Sequence, residues 1–287
     1  MSLSSREPVA DVSQPCMNNA VCTGQDGFAS SLTALQATTV VAWAIAVKRV
    51  TPEDDELRLR WLPHPNLPTP VKGPTPAEIA FWLAAVSPPE KGATPGPTAL
   101  PLEQSAALLD VQETDHLARL RHHEDRRSYL AAHAGARLIL GHAVGRPPNA
   151  LRFAPSANGK PVLLVDPQEI DFSLSHARGA VAVAAARMPI GVDVEPLREV
   201  DHLDPISELV LAAEEQAALR KAPEISRSRL FLRYWTLKEA LLKAAGLGFA
   251  VPPNEVIVDA GPSPTVLAVP PALGSVAQWH LLASADF

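Results

Sequence analysis

The chain has 287 residues, of which 47% are hydrophobic and 20% are charged, a balance typical of a soluble globular protein. The formal net charge of −6 argues against a general nucleic-acid binder, which would be basic. No run approaches the roughly 20 apolar residues of a membrane span, and the N-terminus lacks a signal-peptide core, so we expect a cytoplasmic protein. Cys16 and Cys22 lie in a polar segment, so neither a disulfide framework nor a cysteine metal site is expected.

The N-terminal half contains a tail, a strand, a proline-rich segment and two helices. Residues 1–37 are expected to form a loose tail, and the β-branched run "TTVVAWAIAVKRV" predicts a strand. Eleven prolines follow in residues 63–101, which are predicted to form a long surface insertion with one short helix near "PAEIAFWLAAV". Helical periodicity from "LEQSAALLDV" onward predicts two helices, the second ending at Gly141 or Gly145.

The C-terminal half alternates strands and helices. "LRFAPSANGKPVLL" predicts two strands joined by a turn at Asn158-Gly159, and "DFSLSHARGAVAVAAA" and "PIGVDVEPL" predict further strands. "PISELVLAAEEQAALRKA" and "RSRLFLRYWTLKEALLKAAG" predict helices, and "NEVIVDA", "PTVLAV" and "SVAQWHLLASA" predict closing strands. This order predicts an α+β fold with an N-terminal lobe of residues 38–188 and a C-terminal lobe of residues 189–287.

Two carboxylates share one face of the strand predicted for "GVDVE". Side chains alternate along a strand, so Asp193 and Glu195 point to one side while Val192 and Val194 point to the other. Neighbouring carboxylates repel each other, and a cation between them removes that penalty. Oxygen ligands suit Mg²⁺, which also keeps waters and binds substrate phosphates. The pattern predicts a magnesium site, with a solvated edge strand as the alternative.

A second charged pair lies in the helix predicted for "YWTLKEALLKAAG". Trp235, Glu239 and Lys243 are spaced one helical turn apart and therefore share a face. The simplest interpretation is a Glu-to-Lys pair that stabilises the helix by about 0.3 kcal/mol. The surrounding leucines and alanines favour a buried helix, in which charges need a function or a partner. Glu239 is then a candidate third oxygen ligand, and Lys243 a candidate phosphate contact.

Three other polar groups have weaker patterns. Ser175 and His176 in "SLSH" face opposite ways in a strand, which excludes a nucleophile–base pair. His176 is a candidate donor to a phosphate, with a structural histidine as the alternative. Lys160 in "NGKP" lies on a turn, where a solvated lysine is the usual interpretation. The run "RHHEDRR" indicates a solvated helix face or a docking surface for an acidic partner.

Together these motifs resemble the phosphopantetheinyl transferases of the larger, two-lobed kind, which activate carrier proteins of polyketide, peptide and fatty-acid synthesis. Four blocks match in order: "NGKP", "FSLSHARGAVAVA", "IGVDVEPLR" and "WTLKEALLKAAG". The helix "EDRRSYLAAHAGARLILG" is similar to the family's "DRRRFLAAHALLRLLLG". The resemblance covers roughly residues 105–258, and the combination of Gly-x-Asp-x-Glu with Trp-x-x-Lys-Glu-Ala-x-x-Lys is its specific part.

The resemblance implies a fold and residue roles. It implies two similar α/β lobes related by a pseudo-twofold axis, with coenzyme A in the cleft between them. In the upstream helix, Ser128 stands where the family often has arginine, which leaves Arg126 or Arg127 as substitutes. The implied metal ligands are Asp193, Glu195 and Glu239, the catalytic residues are Glu239 and Lys243, and the coenzyme A contacts are Lys160, Ser175, His176, Lys243, Arg137 and Arg127.

The implied reaction moves the 4′-phosphopantetheine arm of coenzyme A to a serine of an apo acyl or peptidyl carrier protein. Mg²⁺ is the implied cofactor, adenosine 3′,5′-bisphosphate the by-product, and Glu239, directly or through a water, the candidate base. We expect a monomer that docks an acidic carrier on "ARLRHHEDRR". The sequence stops at "LLASADF", where members of the resembled family usually continue into a last strand, so the alternatives here are a truncated chain and a shortened second sheet. The alternatives are a magnesium-dependent phosphoesterase and a non-catalytic coenzyme A or carrier-protein binding module.

Overall fold

The chain folds into mainly antiparallel sheets flanked by helices, which confirms the α+β class. The computed structural model describes residues 41–49, 57–62, 74–86, 105–165 and 169–284. The strands are β1 (Val41–Lys48), β2 (Arg58–Trp61), β3 (Glu78–Ala85), β4 (Phe153–Pro155), β5 (Pro161–Leu163), β6 (Asp171–Ala177), β7 (Ala180–Ala186), β8 (Ile190–Pro196), β9 (Ile257–Asp259), β10 (Thr265–Ala268) and β11 (Trp279–Ala283). The helices are α1 (Val111–Arg119), α2 (His123–Val144), α3 (Leu203–Val210), α4 (Ala213–Lys221) and α5 (Glu224–Ala245). Within these ranges, no helix is long and apolar enough to cross a membrane.

Two sheets form the centre of the protein. One has the order β11-β1-β8 with antiparallel neighbours. The other has the order β2-β3-β7-β6, in which β2 and β3 run parallel and the remaining pairs antiparallel. The run "DFSLSHARGAVAVAAA" is therefore a hairpin of β6 and β7. The predicted turn at Asn158-Gly159 is confirmed, because it joins the antiparallel pair β4 and β5 and Gly159 has φ 86°.

Small side chains allow the two sheets to pack face to face. In β7, "AVAVAAA", Ala182 and Ala184 lie in one buried cluster with Ile45 and Val192 of the other sheet. Val183, on the opposite face of β7, lies in a different cluster, which contains residues of α2. Alternation along β7 therefore separates a sheet–sheet interface from a sheet–helix interface.

A long helix packs on the outer face of each sheet. Ala132 and Ala136 of α2 share a buried cluster with Val183 of β7. Leu237 of α5 shares another with Ala44 of β1. The result is a layered arrangement of helix, sheet, sheet and helix, in which α5 covers the face of β8 that carries its polar residues.

Both long helices end at a glycine in the left-handed conformation. Gly145 follows α2 with φ 65°, and Gly246 follows α5 with φ 67°. Glycine adopts this conformation without the steric cost of a Cβ atom. The cap predicted for Gly246 is confirmed, and α2 ends at Gly145 rather than Gly141. The helix predicted for "PISELVLAAEEQAALRKA" is two helices, because Leu211 after α3 has an extended backbone.

The predicted lobe boundary does not coincide with a sheet boundary. Strand β1, predicted in the N-terminal lobe, pairs with β8 and β11 of the predicted C-terminal lobe. The lobes 38–188 and 189–287 and their pseudo-twofold relation stay predictions. The tail predicted for residues 1–37 lies outside the described residues.

Strand β3 corrects the interpretation of the proline-rich segment. Residues 78–85, "EIAFWLAA", form a strand between β2 and β7 and not a short helix on the surface. Pro74 and Pro76 precede this strand and Pro88 and Pro89 follow it, so no proline interrupts its hydrogen-bond ladder. The surface insertion was therefore predicted wrongly for this window, and most of the other residues of the segment lie outside the described ranges.

Phe81 offers a direct test of that correction. Its side chain is fully buried in the cluster between the sheets, with its ring centroid 5.0 Å from that of Trp43. Phe81→Ala is expected to lower the free energy of unfolding by about 3–5 kcal/mol, because it leaves a cavity in the core. Leu164→Ala, at an exposed leucine, is the control in urea denaturation and is expected to cost less than about 0.5 kcal/mol. Equally small losses in both variants would contradict the core position of β3.

Candidate active site

Helix α5 approaches strand β8 closely at Gly191. An ideal Cβ atom on Gly191 would lie 1.9 Å from the carbonyl oxygen of Ala240 and 2.4 Å from the amide nitrogen of Ala244. No side chain fits in this space, so the glycine of "GVDVE" allows the helix backbone to rest directly on the strand. The next residue on the same face of β8, Asp193, is thereby placed beside α5.

Asp193 is the centre of a hydrogen-bond network at this junction. Its Oδ1 accepts hydrogen bonds from the Ser175 hydroxyl and from the Lys243 ammonium, each at 2.7 Å. Lys243 Nζ also lies 3.2 Å from Ser175 Oγ and 3.8 Å from Glu239 Oε1. The second carboxylate oxygen, Asp193 Oδ2, is buried and has no hydrogen-bond partner within the described part of the chain. The structure therefore brings four of the predicted site residues together.

Glu195 and Glu239 lie within electrostatic range of Asp193. Burial, and then the Asp193 charge, raise the pKa of Glu195. Burial also raises the pKa of Glu239, although the neighbouring Lys243 acts in the opposite direction. The raised pKa values mean that the charged form of each carboxylate is disfavoured in this environment. A cation bound beside them would stabilise that charged form.

The three carboxylates do not form a preorganised metal centre. Among the residues that the structure describes, no three His, Cys, Asp or Glu side chains are grouped closely enough to hold a metal ion. Two observations nevertheless fit a divalent cation: the unpartnered Oδ2 of Asp193, and the raised pKa values of Glu195 and Glu239. The assignment of these residues as metal ligands stays a prediction.

His176 lies on the face of β6 opposite Ser175, as strand alternation requires. Its ring centroid is 5.7 Å from that of Tyr129 and 6.4 Å from that of His133, both on α2. The residue keeps an exposed side, yet burial of the ring and then the nearby His133 and Lys243 lower the pKa of His176 to about 4. At pH 7 the ring is neutral, so it can donate a hydrogen bond but supplies no fixed positive charge.

Lys160 is engaged by partners within the protein. Its Nζ lies 2.5 Å from Asp171 Oδ2 and 2.9 Å from the carbonyl oxygen of Ile190. The same oxygen of Asp171 also accepts the amide hydrogen of Ile190, at 2.9 Å. Lys160 therefore ties the β4–β5 turn to β6 and to the start of β8. These two acceptors use two of the three ammonium hydrogens, and the predicted contact of Lys160 with coenzyme A stays a prediction.

Arg137 is buried and paired within the protein. Its side chain is 0% exposed, with Nε 2.7 Å from Glu113 Oε2 and Nη2 2.7 Å from Asp110 Oδ2. Its Nη1 donates to the carbonyl oxygens of Pro148 and Leu151. The side chain is thus fully engaged within the protein, and its predicted contact with coenzyme A stays a prediction. Arg137 fastens α1 and the turn after α2 to the body of α2.

The basic run around the start of α2 divides into different roles. Arg126 Nη1 donates to the carbonyl oxygens of Leu117 at 2.8 Å and Leu120 at 3.4 Å, which closes the end of α1. Arg127 is half-buried on α2, and Arg119 is exposed. The predicted coenzyme A contact of Arg127 and the docking of a carrier on this run stay predictions.

A cavity of about 300 Å³ lies beside His176, between α1, α2, the β4–β5 hairpin and β6. Tyr129 and His133 stack on one wall with ring centroids 3.9 Å apart, and His133 Nδ1 lies 2.9 Å from Glu113 Oε1. Arg119 also lines the cavity. This cavity was not predicted from the sequence, because its walls come from segments without a shared motif.

Lys238 is a further buried charge whose role was not predicted from the sequence. It is 0% exposed, and its ammonium donates to the carboxylate of Glu215 and to the carbonyl oxygens of Val210 and Pro253. Glu215 in turn accepts the amide hydrogen of Val258 at 2.9 Å. This buried pair fastens α5 to the segments that follow β8. A lysine in an apolar helix was the available signal, but spacing along the chain does not reveal its distant partners.

Comparison with known proteins relates most of the chain to one family. The model described as "4′-phosphopantetheinyl transferase superfamily" matches residues 189–285, and the one described as "4′-phosphopantetheinyl transferase, N-terminal" matches residues 95–188. The chain is 30% identical over 229 residues to the 4′-phosphopantetheinyl transferase HetI of Nostoc sp., an alignment that covers 79% of this chain and 89% of the relative. The chain belongs to the 4′-phosphopantetheinyl transferases.

Other relatives of this transferase match over shorter stretches. The 4′-phosphopantetheinyl transferase gsp of Aneurinibacillus migulanus is 31% identical over 121 residues, which are 42% of this chain and 49% of the relative. The 4′-phosphopantetheinyl transferase psf-1 of Bacillus pumilus is 28% identical over 149 residues, which are 52% of this chain and 63% of the relative. The resemblance to the larger kind of transferase, identified from four sequence blocks, is confirmed.

Proposed function

We propose that this transferase moves the 4′-phosphopantetheine arm of coenzyme A to a serine of an apo acyl or peptidyl carrier protein and releases adenosine 3′,5′-bisphosphate. The observation that carries the proposal is the convergence of Asp193, Glu239 and Lys243 where α5 meets β8. Phosphoryl transfer depends on positioning and on stabilisation of phosphate charge. A carboxylate pair with an ammonium beside it supports both.

A divalent cation, Mg²⁺, is proposed to bind Asp193, Glu195 and Glu239. The unpartnered Oδ2 of Asp193 and the raised pKa values of the two glutamates support this assignment. The donor set also supports it, because magnesium prefers oxygen ligands and commonly binds through carboxylates and substrate phosphates. When bound, Mg²⁺ lowers the charge of the pyrophosphate that repels an attacking oxygen.

In the proposed reaction, one residue of the chain accepts a proton and another stabilises the phosphate charge. Glu239 accepts the proton of the serine hydroxyl, directly or through a water. The serine oxygen forms a bond to the phosphorus that carries the pantetheine arm, and the bond from that phosphorus to the bridging oxygen breaks. The electron pair leaves on the bridging oxygen of adenosine 3′,5′-bisphosphate. Lys243 stabilises the phosphate charge during this exchange.

Intact-mass measurement tests the proposed function. The transferase is incubated with coenzyme A, Mg²⁺ and an apo carrier protein, and the carrier is expected to gain one phosphopantetheine group. A carrier with its acceptor serine replaced by alanine is the control and is expected to stay unmodified. Release of phosphopantetheine without any carrier would instead favour a phosphoesterase, and coenzyme A binding without conversion would favour a binding module.

Binding of coenzyme A is expected to be coupled to proton uptake at His176. The ring is neutral in the free protein because its pKa is about 4. A phosphate beside the ring favours the charged form and raises this pKa, so binding at about pH 6 is expected to take up a proton. Isothermal titration calorimetry in buffers of different ionisation enthalpy measures that uptake.

His176→Gln is the variant for this measurement, because glutamine keeps a hydrogen-bond donor but cannot titrate in this range. It is expected to bind coenzyme A without the proton uptake. Equal uptake in the variant and the wild type would assign the proton to another group.

A further inference from the structure

Ser175 has already used its only hydroxyl hydrogen within the protein. Its side chain is buried on β6, and its Oγ donates to Asp193 Oδ1 at 2.7 Å. The same Oγ lies 3.2 Å from Lys243 Nζ, which can only donate. A serine hydroxyl has one hydrogen, so Ser175 cannot also donate to a phosphate unless it releases Asp193.

Both hydrogen-bond donors contact the same one of the two carboxylate oxygens of Asp193. Ser175 and Lys243 both bind Oδ1, whereas Oδ2 is buried without a partner among the described residues. A carboxylate group rotates within a broad, roughly two-fold torsional well, so nothing intrinsic to aspartate distinguishes its oxygens. The donors hold Oδ1, and Oδ2 is thereby left available to another ligand. A buried oxygen without a partner is costly, so it favours a cation.

Ser175 is the more rigid of the two donors. Its Oγ is one bond from a Cβ atom fixed by strand β6, and the residue is 6% exposed. Lys243 reaches Asp193 through four rotatable side-chain bonds, and its side chain is 26% exposed. Lys243 is also the residue proposed to stabilise phosphate charge, so its ammonium can be drawn away from Asp193 by the substrate. The hydrogen bond from Ser175 to Asp193 does not depend on where the Lys243 ammonium lies.

We propose that Ser175 is a positioning residue for Asp193: it orients the carboxylate so that one oxygen is kept for the divalent cation. This inference rests on the proposed metal-dependent function. It differs from the role that the family resemblance implies for Ser175, which is a direct contact with coenzyme A. The two roles have different consequences when the hydroxyl is removed, because one concerns the metal and the other the second substrate.

Ser173 provides a matched control on the same strand. It is also buried and also faces β8, where its Oγ accepts the amide hydrogen of Val192 at 3.1 Å. Its hydroxyl thus supports the same pair of strands without touching Asp193. Any general effect of deleting a buried hydroxyl from β6 appears in both Ser173→Ala and Ser175→Ala, and only an effect on the carboxylate is specific to Ser175.

The test is the affinity for Mn²⁺ alone, measured by electron paramagnetic resonance without coenzyme A or carrier. Ser175→Ala is expected to weaken Mn²⁺ binding by about 10- to 100-fold, the usual effect of losing a group that orients a metal ligand. Ser173→Ala is expected to bind as the wild type does. In the transfer assay, the Ser175→Ala defect is expected to diminish at high Mg²⁺, with the KM for coenzyme A unchanged.

Other results would overturn the inference. A raised KM for coenzyme A with unchanged Mn²⁺ affinity would make Ser175 a direct phosphate contact, and equal Mn²⁺ affinities in both alanine variants would remove its positioning role. If Ser175→Ala unfolds, Ser175→Cys keeps a similar volume with a weaker donor and is expected to show a smaller loss of Mn²⁺ affinity in the same direction. A wild type that modifies a carrier without binding any divalent ion would instead reject the metal part of the proposed function.

Discussion

Asp193→Ala is expected to lower kcat/KM for transfer by at least about 10²- to 10³-fold, the usual cost of losing one preorganised electrostatic group. The substitution removes the proposed metal ligand and also the acceptor that holds Lys243 and Ser175. The fold is expected to persist, because Lys243 is 26% exposed and its ammonium can turn to water. Transfer to a carrier, followed by intact mass, measures the loss, and thermal denaturation checks the fold.

One further variant separates charge from shape at this position, and a variant at a distant carboxylate is its control. Asp193→Asn keeps the size of the side chain and one carbonyl oxygen but removes the negative charge, so it is expected to lose nearly as much activity as Asp193→Ala. Glu208→Gln removes a carboxylate from an exposed position on α3 and is expected to behave as the wild type. Undiminished transfer by folded Asp193→Ala in the presence of Mg²⁺ would reject the role of this carboxylate.

The parts of the site that could be predicted are those set by local periodicity. Alternation in "GVDVE" predicts that Asp193 shares one face of a strand with Glu195. Helical spacing predicts that Glu239 and Lys243 share one face of α5. Both rules act over a few residues, so they need no knowledge of the fold. Neither rule predicts that the strand and the helix meet. That contact was suggested by the buried character of the helix, which made Glu239 a candidate third ligand, and was implied by the family resemblance.

Strand β3 was missed because the proline content was averaged over a long segment. The proline content of residues 63–101 is high, but residues 78–85 contain none. Alternation is also weak there, since Ile79, Ala80, Phe81 and Trp82 are all buried. A strand covered on both faces has no polar side, so period-two analysis cannot distinguish it from a buried helix.

The buried charges were unpredictable for a different reason. Arg137 pairs with Asp110 and Glu113, and Lys238 pairs with Glu215, all more than 20 residues away in the chain. When those partners are not known, a charged residue on a helix is equally compatible with exposure to solvent, with contact to a ligand and with a buried ion pair. The choice is made by tertiary packing, which brings distant carboxylates to the cation.

Gly191 determines how closely α5 can approach β8, and Gly191→Ala is expected to have the largest combined effect on stability and activity. The added Cβ would lie 1.9 Å from a backbone oxygen, although such contacts essentially never fall below 3.0 Å, so the two backbones must separate by about 1 Å. No rotamer change relieves this clash, because both the helix and the strand meet at main-chain atoms. The free energy of unfolding is expected to fall by about 1–3 kcal/mol, as for other overpacked sites.

The activity of Gly191→Ala is expected to fall further than its stability alone predicts. Glu239 and Lys243 move with α5, whereas Asp193 stays on β8, and a displacement of about 1 Å in a catalytic arrangement can cost about 10²-fold in rate. Gly261→Ala is the control, because the three atoms nearest to its added Cβ would all belong to the side chain of Asp259, the nearest at 3.3 Å. Urea denaturation and the transfer assay, both run where each variant is folded, separate the two effects. Wild-type activity in folded Gly191→Ala would mean that the spacing of α5 and β8 does not control the reaction, and that the junction of these two elements is not the active site.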